Sequence, residues 1–352
     1  MTKTMQAWVV HEKGLPRDVF KWEAFPEPTH EAMSRLAMDI EGLRERRPGE
    51  PACEHYAFVR VLAAALATPD LTMATGEYPV PIPRPYVSGQ EAVGLVEETS
   101  PGLEHLVGKR VMGFTPQPFG SFASLTVMAP PTLWEVPESM SDEEAAGFVI
   151  PAHTAYHAVH RRGKVQAGET VLVLGAAGGV PSSAVQLCVA AGCRVIAVAG
   201  GAEKVAFARE LGAHVVIDHR EEDFVAAVER EVGEHGIDVI VDFVQGEPGR
   251  LARPLLRVEG RHLLCGHAGG LIPIHPSEFY VQNWTLVGVC MGSGYGPELM
   301  QIEQKAHDDL MALVREGRYR ATTSRVIGFD EIPRALEDLT ERRTFGRVVA
   351  RP

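Results

Sequence analysis

The glycines of Gly175-Ala-Ala-Gly178-Gly179 stand directly behind Thr170–Leu174, a short run of β-branched and aliphatic residues. Such a run becomes a buried parallel strand, and glycines at its end let the backbone turn tightly and approach an anionic group. Free N–H groups and the positive end of the following helix would then face a pyrophosphate, with Gly175, Ala177, Gly178, Gly179 and Val180 as the cradle. Val195–Ala199 is a second buried-strand run. Strand, glycine turn, helix and strand thus fit within the ~30 residues of a βαβ unit. Pro181 stands where a third small residue would let helix and strand pack closely. It is tolerated in a first helical turn but removes one N–H, so Ser182, Ser183 or a water is expected to supply the missing contact.

A carboxylate at the end of the second strand normally accepts hydrogen bonds from the ribose 2′-hydroxyl of NAD. Here Gly200-Gly201 occupies that place, so nothing repels a 2′-phosphate, and Lys204 can pair with one. NADPH is therefore the expected cofactor; the plainer reading of Lys204 is a solvated helix-surface lysine. His153, His157 and His160 recur at i, i+4, i+7 and share a helix face. A zinc helix of the His-x-x-x-His kind carries a glutamate beside its first histidine, whereas this chain has Thr154. Surface or internally satisfied histidines are favoured over a metal site, with a catalytic part for His153 as the sharper alternative.

The elements that must position these residues alternate from Thr170 onward. Strands are expected at Thr170–Leu174, Val195–Ala199, Val215–Ile217, Val239–Phe243, Arg261–Cys265 and Thr285–Val289, which makes a doubly wound parallel sheet of Rossmann type. A helix is expected from about Pro297 to Glu316, and Arg325–Pro352 reads as strand, helix, strand returning to the first domain. Over the first ~135 residues, short strands separated by Gly and Pro predict a compact β-rich, barrel-like domain. Met5–Val10 and Ala57–Leu62 are two of its strands. Thr68-Pro-Asp70 and Pro79–Pro85 are expected as extended loops around Tyr78. Ser141-Asp-Glu-Glu144 is a capping box. Between the first two strands, Met33, Leu36, Ile40 and Leu43 recur at i, i+3, i+7, i+10 and predict one amphipathic helix with Thr29 as N-cap, serving as a surface layer or as a lid or dimer contact.

At 352 residues the chain exceeds the ~250–300 at which single cores stop growing, so two domains are expected. A net charge of −12 argues against nucleic acid as a partner. The start lacks a secretory h-region and no apolar run approaches ~20 residues, which predicts a cytoplasmic protein without membrane spans. Cys53, Cys188, Cys193, Cys265 and Cys290 include no zinc-finger or redox pair; buried free thiols are expected, with Cys188, Cys265 and Cys290 inside apolar runs.

Gly108-Lys-Arg-Val, the stretch Gln166–Val180, Glu203–Gly212 and the closing Gly346-Arg-Val-Val together carry a likeness to a known family. The chain resembles the zinc-independent quinone oxidoreductase and enoyl reductase branch of the medium-chain dehydrogenase/reductase superfamily, over nearly its whole length, with 29–56 as a helical insertion. The resemblance implies an α/β fold: a distorted-barrel, GroES-like catalytic domain from 1–148 and 298–352, and a Rossmann domain from 149–297. It also places the active site in the cleft between them.

Zinc-dependent members carry a cysteine and a histidine where this chain has Ala67 and Gln90, so no metal is expected. His219 stands where relatives often hold the phosphate with a tyrosine. Further cofactor contacts are implied at Phe243, Val244 and Gln245, at Gly266, His267 and Ala268, at Met291 and Gly292, and at Arg347. Tyr78 aligns with a tyrosine of quinone-reducing relatives and Thr154 with a residue near the nicotinamide ribose. His153 is a new candidate donor where relatives carry a small residue. The implied activity is NADPH-dependent reduction of a small-molecule quinone or enone. The alternatives are reduction of a natural-product or acyl-thioester intermediate, or NADPH binding without catalysis. A homodimer is expected through the apolar edge strand Trp284–Val289.

Overall fold

The computed structural model describes residues 3–39, 42–271, 273–291 and 298–352. Two compact units emerge: Met1–Ile150 with Gly292–Gln304 and Ala321–Pro352, and Pro151–Met291 with Lys305–Arg320. Residues 305–320 therefore belong with the second unit, not with the β-rich one. Hydrogen bonds anchor them there, from Ser183 Oγ to Tyr319 Oη (2.8 Å) and from Gln186 Nε2 to the Arg320 carbonyl (3.0 Å).

The second unit is a six-stranded parallel sheet in the order Val215–Asp218, Arg194–Ala199, Thr170–Leu174, Ile237–Asp242, Leu256–Leu264, Thr285–Gly288. All six apolar runs expected as strands are in it. Their continuous hydrophobicity reflects burial on both faces: Val171, Leu172, Val173, Ile196, Ala197, Ile240 and Val241 are completely buried. The order reverses between Thr170–Leu174 and Ile237–Asp242. That switch point is where open α/β sheets leave a crevice at the carboxyl ends of their strands.

In the β-rich unit, Glu91–Thr99, Ala57–Ala65 and Arg347–Arg351 lie side by side in a seven-stranded sheet, flanked by Arg110–Phe114 and Leu133–Glu135 on one side and Thr323–Gly328 on the other. The C-terminal strand does rejoin this unit, through Val349↔Ala65. A second sheet sets Thr4–Val10 between Phe20–Pro26 and Tyr86–Val87. The Ser141 capping box forms as expected, with Glu144 N–H on Ser141 Oγ (3.2 Å) and Ser141 N–H on Glu144 Oε2 (2.9 Å).

Two expectations fail here. Thr68-Pro-Asp70 is the first turn of a helix, Thr68–Thr75, and not an extended loop. Proline fits a first helical turn, and Asp70 Oδ2 accepts the Ala67 N–H at 2.8 Å, capping it. The amphipathic helix expected within 29–56 is only His30–Met33, capped by Thr29 Oγ1 on the Ala32 N–H, followed by the hairpin Leu36–Asp39/Gly42–Glu45. Ile40 lies outside the described residues. Met33, Ala37 and Leu43 are buried all the same, and Met33 from the helix and Leu43 from the hairpin join one hydrophobic cluster with Phe58, Val127 and Ala129. Four apolar residues at helical spacing could not distinguish the two shapes.

Among the described residues no helix is long and apolar enough to cross a membrane. No disulfide joins the described cysteines; Cys188 and Cys193 are buried, but Cys290, expected inside, is exposed at the end of the edge strand.

Candidate dinucleotide site

Gly175 turns the chain at φ +68°, and a Cβ there would lie 2.9 Å from Val244 Cγ2, so this position needs glycine both for its backbone and for space. Gly178 is the N-cap of the helix Gly179–Ala190, and Pro181 sits in its first turn with its ring 3.3 Å from where a Gly178 Cβ would be. The two serines expected to make up for the missing Pro181 N–H have partners within the protein. Ser182 Oγ donates to its own turn, to the Gly179 carbonyl at 2.7 Å, and Ser183 Oγ is shared with Tyr319. Both serines are buried.

At the end of the next strand, Gly200 and Gly201 are ringed by bases. A Cβ on Gly200 would lie 2.5 Å from His219 Nε2 and 3.2 Å from Arg220 Nε, and one on Gly201 would lie 3.2 Å from an Arg220 guanidinium nitrogen. Lys204 is in the first turn of the helix Ala202–Glu210. His219 and Arg220 thus close on the Gly200-Gly201 backbone, and Lys204 follows three residues after Gly201 in the chain. Sequence reasoning missed Arg220, although its place directly after His219 was a usable signal. The nearby carboxylate, Asp218, is occupied by backbone donors of the same cluster. Its oxygens accept the N–H groups of Gly201 (3.0 and 3.1 Å) and Arg220 (3.0 Å), which hold its pKa below the usual range. The cluster is a cationic recess next to glycine backbone, suited to a phosphate monoester.

On the other side of the switch point, Phe243, Val244 and Gln245 follow one strand and Gly266, His267 and Ala268 follow the next. The two loops are hydrogen-bonded together, Ala268 N–H to the Phe243 carbonyl (3.3 Å) and Gln245 Nε2 to the Gly266 carbonyl. Met291 lies just past the edge strand; Gly292 lies outside the described residues.

The helix Val149–Tyr156 continues as a π-helical turn, His157–Arg162, so the three histidines do not share a regular α-helical face. His153 is fully buried, its Nε2 3.4 Å from Nδ1 of buried His307. His157 is also buried, and the His160 ring packs tilted against Tyr156 with centroids 5.0 Å apart, burial lowering the His160 pKa. Thr154 is partly exposed between buried neighbours.

In the β-rich unit, Tyr78 is half-buried against the cluster containing Met73, Ile82 and Tyr86, and its N–H donates to the Thr72 carbonyl (3.0 Å). Ala67 offers no donor atom, and the Gln90 amide points at Met73 Sδ, 3.9 Å away. Of the carboxylates beside them, Asp70 caps Ala67 through Oδ2 while its Oδ1 is buried without a hydrogen-bond donor, and Glu91 accepts the Ile150 N–H (2.9 Å) and the Arg347 guanidinium. This donor set does not fit a zinc ion. Arg347 is thus held on Glu91, with both side chains buried. Burial pushes Asp70 up to about 7 and Glu91 upward, the latter opposed by Arg347.

Two family models match the chain, the alcohol dehydrogenase GroES-like domain over 54–138 and a model described as zinc-binding dehydrogenase over 179–306. Quinone oxidoreductase of Pongo abelii is 31% identical over 250 residues, covering 70% of this chain and 75% of the relative, and that of Homo sapiens is 30% identical over the same shares. A probable oxidoreductase from Mycobacterium abscessus superposes with a TM-score of 0.82 at 29% identity, covering both chains completely. The quinone oxidoreductase of Thermus thermophilus, solved also in complex with NADPH, gives 0.79 at 28% identity, covering 99% of this chain and 100% of its own. The glycine turn, the parallel sheet, the GroES-like unit and these likenesses agree, and the chain belongs to the medium-chain dehydrogenase/reductase superfamily, in its quinone oxidoreductase-like branch.

Proposed function

We propose that this protein is an NADPH-dependent, zinc-independent reductase of a small activated acceptor, a quinone or an enone. The observation that carries the reading is the glycine pair Gly200-Gly201 enclosed by His219 and Arg220, with Lys204 one turn on. A 2′-phosphate would meet the Arg220 and Lys204 cations with charge-assisted hydrogen bonds, and the His219 ring beside them, which a ribose carrying only hydroxyls does not exploit. Gly175–Val180 would hold the pyrophosphate on the helix N-terminus. When bound, NADPH supplies the hydride.

The chain's own part is to orient the acceptor and manage a proton. Tyr78 is the proposed donor to the acceptor oxygen, Thr154 the contact to the cofactor ribose, and His153 a proton source relayed from His307. Arg347 is proposed to meet the cofactor from its anchored position on Glu91. The edge strand Thr285–Gly288, paired on one side only among the described residues and bearing exposed Leu286, is proposed to pair with a second copy.

The test is NADPH oxidation with a panel of quinones, enones and enoyl thioesters. Turnover with quinones or enones is expected; turnover with thioesters alone overturns the acceptor class. Tight NADPH binding without turnover on any acceptor overturns the catalytic reading.

A further inference from the structure

Asp242 ends a strand whose every residue is buried, and its own side chain is completely buried. Neither it nor His262 belongs to the cradle or the cationic recess. Asp242 Oδ1 accepts the N–H groups of Val244 (2.8 Å) and Gln245 (2.7 Å), and Oδ2 meets His262 Nε2 at 2.9 Å. His262 lies on the adjacent strand, opposite Ile240, and is 1% exposed. Residues 240 and 242 share a face, so the imidazole reaches the carboxylate diagonally across the ladder. The helix Gly246–Ala252 is shaped around this pair: a Cβ on Gly249 would lie 2.4 Å from Asp242 Oδ2.

What the pair holds is two loops. The Asp242 bonds keep Gln245 at φ +51°, a conformation costly for a side chain larger than glycine. From there the Gln245 amide donates to the Gly266 carbonyl. Backbone bonds continue the seam, Cys265 N–H to Asp242 O (2.9 Å), Ala268 to Phe243, and Gly269 N–H to Val244 O (2.6 Å). Gly246 meets the Gly269 carbonyl so closely that a Cβ would lie 2.3 Å from it. Both loops are at the carboxyl ends of the strands beyond the switch point, opposite to the Gly200 recess. In a dinucleotide laid across the crevice, the phosphorylated adenosine falls on the Gly200 side and the nicotinamide on this one.

We infer that His262, acting through Asp242, is a positioning residue that sets the two loops receiving the nicotinamide half of the cofactor. The inference rests on the NADPH reading above. Its test separates the two halves of the ligand by calorimetric titration with NADPH and with 2′,5′-ADP, which carries only the phosphorylated adenosine end. His262→Leu removes the donor and is expected to weaken NADPH at least about 10-fold while leaving 2′,5′-ADP within about twofold. His262→Gln, which keeps an amide donor for Asp242, is expected to restore NADPH to within about threefold of the wild type.

Gln245→Leu cuts the tie to Gly266 without touching the buried pair, so it reports even where His262→Leu does not fold, and it is expected to show the same split. Equal losses of both ligands, or unchanged NADPH affinity in folded His262→Leu or in Gln245→Leu, overturn the inference alone. Wild-type protein that binds neither ligand overturns the NADPH reading and the inference with it.

Discussion

Around Gly200, the groups that would meet a ligand are exposed side chains, His219 and Arg220, standing over glycine backbone. Around Gly246 they are two loops sewn to each other over a buried carboxylate. In the proposed reading, the first arrangement recognises by charge and can be rewritten one residue at a time. The second sets shape, and altering one atom of it disturbs several hydrogen bonds at once. On the NADPH proposal, one sheet would offer specificity at one end of its crevice and rigidity at the other.

The sharpest way to break the charged end is to reverse it. Lys204→Glu with Arg220→Glu is expected to weaken NADPH on the order of 1,000-fold and NADH by less than about threefold, since each lost cation removes a charge-assisted contact to phosphate only. Unchanged preference for NADPH in equilibrium titrations would remove the basis for the cofactor assignment.

The rigid end is tested by adding one carbon. Gly246→Ala combines φ +56° with a Cβ 2.3 Å from a backbone oxygen that cannot swing away. It is expected to destabilise by about 3 kcal/mol in denaturant unfolding. Gly201→Ala, also at positive φ, meets only the flexible Arg220 guanidinium at 3.2 Å and is expected to cost roughly half as much.

The comparison extends to a buried carboxylate without such support. Asp242 has three hydrogen-bond donors, whereas Asp70 has one unpartnered buried oxygen and a pKa raised from 3.8 to about 7 by burial. Between those values the folded protein holds one more proton than the unfolded chain. Stability from this group is therefore complete below pH ~4, falls as pH rises toward 7, and is flat above. Asp70→Asn, which keeps an acceptor for Ala67, is expected to remove that slope. Its melting temperature should gain a few degrees on the wild type between pH 4 and pH 7. A constant difference across that range contradicts the burial argument.

The smallest effect is two residues after Pro181. Ser183→Ala loses only the bond to Tyr319, costs about 1 kcal/mol in unfolding, and leaves NADPH affinity unchanged. Weakened NADPH binding there would mean that Ser183 does reach the phosphates.

Much of the fold was legible because the residues involved obey strong local rules. Six apolar runs between helical patterns could hardly be anything but a parallel sheet, and Ser141-Asp-Glu-Glu144 capped its helix as its spacing dictates. The region 29–56 was misread because helix and hairpin can bury Met33 and Leu43 against the same surface. Thr68-Pro-Asp70 was misread because its capping carboxylate acts backward onto Ala67, a contact that a proline-based rule does not contain.

The sequence by itself determined the βαβ unit, the glycine turn and the absence of an acidic residue at Gly200, since each depends on neighbours within a few residues along the chain. Only the tertiary structure decided that Arg220 closes on the glycine pair, that Arg347 is held by Glu91, that His153 faces His307, and that His262 meets Asp242. These contacts join residues up to 256 positions apart. Charged and polar side chains of that kind are indifferent to local periodicity. They take their partners from whichever strands and helices the apolar pattern has already brought together.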